Sequence, residues 1–149
     1  MNELFDLYQD IILDHNKRPR NFRAMDGATH AAEGHNPLCG DEVTVFVKLN
    51  GDKIEDVSFQ GQGCAISRAS ASLMTGEVKG KTLREARGEF ERVKAMLTGD
   101  NDEPVDLLEF GNMASLSGVR RFPARIKCAT LPWHALDAAL QDGGEITTE

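Results

Sequence analysis

The stretch DEVTVFVKLNGDKIEDVSFQ constrains the fold of this chain more than any other. Val43, Val45, Val47 and Leu49 alternate with Glu42, Thr44 and Lys48, the period-two pattern of a strand with one buried face. Asn50 and Gly51 follow with the residues that a tight hairpin turn demands, because positive φ is cheap for them. Ile54 to Gln60 then returns as a second strand. A third strand over Thr29 to Gly34 completes a small antiparallel meander, which needs helices over one face.

The helices are legible on either side. Leu4, Phe5, Leu7, Tyr8, Ile11 and Ile12 recur at helical spacing, predicting an amphipathic N-terminal helix that stops before Pro19. GQGC, residues 61–64, closes the hairpin with two glycines, and AISRASASLMTGEV reads as a helix of small residues that opens next to Cys64. Thr82 and Glu85 have capping-box spacing, and Leu83, Ala86, Phe90, Val93, Met96 and Leu97 form the buried stripe of the helix they start. TGDNDEP reads as a polar loop, with short helices and turns from there to about Pro123. CATLPWHALDAALQ is the last helix, with Pro132 expected in its first turn, where a missing N–H is harmless. The fold class is therefore α+β, a three-stranded antiparallel sheet against several α-helices. It forms one domain over residues 1–149, with 142–149 expected to be a flexible tail.

Bulk properties exclude several roles. A net charge of −7 argues against broad binding to phosphate backbones. The basic runs, Lys17, Arg18, Arg20 and Arg23, and then Arg120, Arg121, Arg125 and Lys127, read first as solvated faces; docking of an acidic protein partner is the sharper alternative. The start of the chain does not read as a secretory signal and no twenty-residue apolar span exists, so the expected compartment is the cytoplasm. There three cysteines would stay reduced, and thiol or metal chemistry is favoured over a disulfide.

Cys39, Cys64 and Cys128 all fall at joints between elements, too far apart for a local knuckle but suited to one site at one end of the sheet. Helix N-termini and glycine loops favour thiolates. Asp41, two residues after Cys39, projects to the same side as Cys39 if the chain is extended there. Three thiolates and a carboxylate make a tetrahedral set that zinc accepts, and iron too. The plainer alternative is three buried cysteines acting as small apolar residues, and spacing alone leaves both open. His35, near Cys39, is a possible ligand or donor; His134 is expected only to pack.

Taken together, NPLCGD, GQGCAIS and RIKCATLPWHAL resemble the three cysteine motifs of the U-type iron–sulfur cluster assembly proteins, the IscU-like or NifU N-terminal family. The resemblance runs from LYQDIILDHNKRPRNF to about Leu140. It is closer to the SufU branch than to IscU scaffolds. Lys127 stands where those scaffolds carry a histidine before the third cysteine, the connection FGNMASLSGVRRFPAR is longer, and no LPPVK-type chaperone site is present. The resemblance implies a zinc site made of Cys39, Asp41, Cys64 and Cys128, and a sulfurtransferase-like persulfide carrier. Such a protein takes sulfur from a SufS-type cysteine desulfurase on Cys39, which a histidine of the partner displaces from the metal, and delivers it to a SufBCD-type scaffold. Arg125 is then a candidate for partner contact. The alternative within the same resemblance is an IscU-like scaffold that assembles and transfers a labile iron–sulfur cluster on the same residues.

Overall fold

The computed structural model describes residues 3–37, 40–98, 110–141 and 144–147, the backbone alone for 3–6, 121 and 144–147. Along the chain these form α1 (Glu3–Lys17), β1 (His30–Asn36), β2 (Asp41–Asn50), β3 (Lys53–Gln62), α2 (Ala65–Val78) and α3 (Leu83–Thr98). A 3₁₀ stretch (Gly111–Arg121), α4 (Pro123–Gln141) and β4 (Gly144–Thr147) complete it.

The β2–β3 hairpin pairs Asn50 with Lys53 and turns through Gly51 and Asp52, one residue on from the Asn50-Gly51 turn expected, and Gly51 takes the positive φ of 65° that the turn requires. β1 lies antiparallel on the other side of β2, so the three strands form the expected antiparallel meander. β1 runs two residues beyond the Gly34 limit expected for it and ends at Asn36, directly across from Asp41. A fourth strand, β4, pairs in parallel with β1 at the sheet edge, where the sequence suggested only a fraying tail. Backbone ladder bonds supply there what the apolar pattern of GEIT could not reveal.

One face of the sheet is core. Val43, Val45 and Val47 are almost wholly buried, as are Ala32 on β1 and Val57 and Phe59 on β3. The last helix covers β1 and β2 through Ala129, Leu131, Trp133, Leu136 and Ala139, all in the core cluster, and α2 packs on β3. The α3 stripe is buried as predicted from Ala86 to Leu97, and the capping box is present: Thr82 N–H donates to Glu85 Oε1 at 3.0 Å and Glu85 N–H to Thr82 Oγ1 at 3.1 Å. On α1 Tyr8 is buried and Ile11 and Ile12 pack against the core, whereas Leu7, counted in the same stripe, is 45% exposed. The polar loop expected over residues 98–104 lies, after Thr98, outside the described residues.

The last helix departs from expectation at its start. It begins at Pro123, so Pro132 sits inside it rather than in its first turn. Pro123 takes the N1 place where a missing N–H costs nothing; at Pro132 the ring removes the N–H that would bond the carbonyl of Cys128, a defect worth about 3 kcal/mol in an ordinary helix interior. Packing of buried Leu131 and Trp133 on either side holds the helix through it. Among the described residues no helix is long and apolar enough to cross a membrane.

A polar seam ties α1 to α2. His15 is buried and its Nδ1 lies 2.7 Å from Ser72 Oγ, which also accepts the Arg20 N–H at 2.8 Å. Burial, with the nearby Arg20 charge, holds the His15 pKa below its ordinary value. The folded-state value lies below the unfolded value of about 6.5, so the contribution of neutral His15 is complete above that pH and shrinks as pH falls. His134, half-buried against Phe90, is lowered in the same direction, chiefly by burial. Thermal melts should therefore lose stability between about pH 7 and pH 5, and His15→Gln should flatten part of that loss; an unchanged slope in the variant would show that His15 does not carry it.

Candidate metal centre

The inward phase of β2 reaches its first residue. Asp41 continues the buried series Val43, Val45, Val47 and is only 1% exposed, so its carboxylate is turned under the end of the sheet. Across the ladder Asn36 continues the series Ala32, Gly34 in the same way and is fully buried.

The hairpin delivers Cys64 to that carboxylate. After β3 the chain passes Gly63 and enters α2 with Cys64 as N-cap, in an extended conformation and with no side-chain capping bond. Its sulfur is thus left to the site. Cys64 N–H donates to Asp41 Oδ1 at 2.7 Å, and Cys64 Sγ lies 3.7 Å from Asp41 Oδ2. The carboxylate satisfies a backbone donor at the helix start, where the helix dipole favours negative charge. Gly63 is required by this approach: it has φ of +152°, and a Cβ there would fall on the Asp41 carboxylate.

Cys128 arrives from α4. Because the helix starts at Pro123, Cys128 lies in its second turn and not at the opening of the helix, where the sequence suggested it. It is fully buried, its Sγ accepts from Asn36 Nδ2 at 3.5 Å, and it faces the carbonyl of Ala124 at 3.8 Å. Ser70 Oγ donates to the carbonyl of Ala129 at 2.6 Å, binding α2 to α4 beside the cysteines.

One ligand atom from each of Asp41, Cys64 and Cys128 lies within 4.8 Å of the others. Ligands bound at zinc–sulfur and zinc–oxygen lengths to one tetrahedral ion sit roughly 3.3–3.8 Å apart. The spread here is close enough for side-chain rotation to reach that. Two sulfurs and a carboxylate also suit zinc chemically, so the residues fit the ion.

Of the four residues expected in the site, the structure brings these three together, while Cys39 lies outside the described residues. Its flanks are described: Gly40 has φ of +71° and its N–H donates to the Pro37 carbonyl at 3.3 Å. His35 is on the opposite face of β1 from Asn36, 4.0 Å from Glu33 and from Glu42, away from the ligand group. Arg125 and Lys127 are exposed on α4. Arg20 and Arg23 are engaged in ion pairs with Asp14 and Asp56, which supports the plain reading of that basic run. Asn36 was missed by sequence reasoning because HNP reads as a turn; counting two residues on from Gly34 in the buried phase would have found it.

Comparison with known proteins adds to this geometry. The family model described as the NifU-like N terminal domain matches residues 7–141. The chain is 43% identical to the zinc-dependent sulfurtransferase SufU of Bacillus subtilis, over 93% of each chain. It is 42% identical to the iron–sulfur cluster assembly scaffold protein IscU of Streptococcus pyogenes, over 95% of this chain and 87% of that one. A crystal structure from Fervidobacterium islandicum, described as an iron–sulfur cluster assembly scaffold protein for the SUF system, superposes with a TM-score of 0.81 at 37% identity, covering 89% of this chain and 95% of that chain.

The close approach at Gly63 gives a direct test of the site. Gly63→Ala should keep the fold by circular dichroism but push the Asp41 carboxylate away from Cys64, weakening zinc binding by about tenfold or more; chelator competition reads this, and unaltered affinity would mean that Asp41 is not held as described.

Proposed function

Because the chain belongs to the family of NifU-like N-terminal domains, we propose that it serves iron–sulfur cluster assembly as a zinc-dependent sulfur acceptor. In this reading Cys39, Asp41, Cys64 and Cys128 hold the metal, and Cys39 takes persulfide sulfur from a SufS-type cysteine desulfurase and passes it to a SufBCD-type scaffold. The observation that carries the reading is the convergence of Asp41, Cys64 and Cys128 within 4.8 Å at the end of the sheet. The likeness to the B. subtilis sulfurtransferase supports the choice of zinc.

Zinc bound there would keep the sulfurs ready as thiolates while shielding them from oxidation. The protein's own residues divide the remaining work by burial. Cys128 is fully buried on the inner side of α4 and Cys64 is half-buried at the start of α2, so neither offers an open path to a partner's persulfide. Cys39 is two residues from Asp41, and the covalent chain keeps their Cα atoms within about 7 Å. It belongs to the four-residue connection between Asn36 and Asp41, which the sequence alone keeps within reach of the cluster.

The transfer step is thiol exchange. The Cys39 thiolate attacks the terminal sulfur of the desulfurase persulfide, a new sulfur–sulfur bond forms on Cys39, and the partner's cysteine leaves as thiolate. No net oxidation occurs, since one persulfide is exchanged for another. Arg125, exposed three residues before Cys128 on α4, is the proposed contact for an acidic group of the partner.

The scaffold alternative is favoured by the likeness to the S. pyogenes protein and to the F. islandicum structure, both named as scaffolds. Against it stands Lys127, which is exposed and supplies no ligand lone pair where a histidine would. Mass analysis after mixing the protein with desulfurase and cysteine should find an adduct of about 32 Da, one sulfur atom, on Cys39, and Cys39→Ala should abolish it with the protein still folded. An adduct absent from Cys39, together with a visible chromophore after anaerobic reconstitution, would favour the scaffold.

A further inference from the structure

Asn36 ends β1 on the inward face and is fully buried, with Nδ2 donating to the sulfur of Cys128 at 3.5 Å. Its Oδ1 is buried too and has no hydrogen-bond partner among the described residues. For stability alone this is a poor choice of residue, because an amide left half unsatisfied in the interior is worse than a leucine of similar size. For a sulfur that holds a cation it is a good one. Such a sulfur carries negative charge, and a donor aimed at it both orients it and is strengthened by that charge. The Ala124 carbonyl, which faces the same sulfur at 3.8 Å, can only accept and gives a metal-bound sulfur nothing.

Asn36 is also the register partner of Asp41. One strand end therefore sets the position of a carboxylate ligand and of the group that holds a sulfur ligand. We infer that Asn36 is a positioning residue of the metal centre: its amide donates to the Cys128 sulfur and keeps it turned toward the ion, at a cost to the stability of the metal-free fold. The inference rests on the zinc reading above.

The test uses the full chain, without desulfurase, as wild type, Asn36→Leu and Asn36→Asp. Zinc affinity is measured by chelator competition, the melting temperature is measured on metal-free protein, and the thiolate-to-metal charge-transfer band is recorded with cobalt(II). Both variants should bind zinc at least about tenfold more weakly, and the cobalt band of Asn36→Leu should shift. Metal-free Asn36→Leu should melt at or above the wild-type temperature, which a residue needed only for packing would not allow. Wild-type zinc affinity in Asn36→Leu overturns the inference, as does a lowered melting temperature with an unchanged cobalt band. If the leucine variant does not fold, Asn36→Asp keeps the shape without the donor, and unweakened zinc binding there overturns it. Failure of wild type to bind zinc would instead sink the underlying zinc reading, and this inference with it.

Discussion

The carboxylate of Asp41 is where the sheet and the helices meet. It is buried because β2 keeps its two-residue phase to the very end, and a buried carboxylate is tolerated only with partners. Its first partner is the backbone N–H of Cys64, which fastens the start of α2 to the start of β2 across a separation of 23 residues. Gly63 makes that approach sterically open. Remove the charge, the donor or the glycine, and the carboxylate and the Cys64 sulfur lose the contact that holds them side by side.

From that junction the two described cysteines acquire different characters. Cys64 caps a helix without using its sulfur for the cap, so the sulfur stays available beside the carboxylate. Cys128 is carried in by a long helix that covers β1 and β2, and the Ser70 hydroxyl on the Ala129 carbonyl keeps that helix against α2. Rigid elements thus hold two sulfurs and an oxygen, and the third cysteine is left to a short connection between strands. This is the division expected of a site in which some ligands hold the metal and another reacts.

The sheet was legible because its signal is local: Val43, Val45 and Val47 specify strand and face, and Asn50-Gly51 locates the turn to within one residue. The α3 stripe and its capping box were legible for the same reason. The start of α4 was not, because both Pro123 and Pro132 are acceptable at a first helical turn and only packing against the core decides between them. Cys128, expected where the last helix opens, consequently lies in its second turn. β4 escaped because its pairing is a matter of backbone bonds at a sheet edge, and Asn36 because a residue before proline reads as turn. The three cysteines could be assigned to one site only through the resemblance of their surroundings; spacing does not carry through-space distance, which Asp41, Cys64 and Cys128 have now supplied.

If this end of the sheet is a sulfur-rich zinc site, X-ray absorption at the zinc edge, on protein purified anaerobically without added metal, should find about one zinc per chain, with three sulfur neighbours near 2.3 Å and one oxygen neighbour. Protein that carries iron with bridging sulfide, or zinc surrounded by nitrogen and oxygen alone, would contradict it.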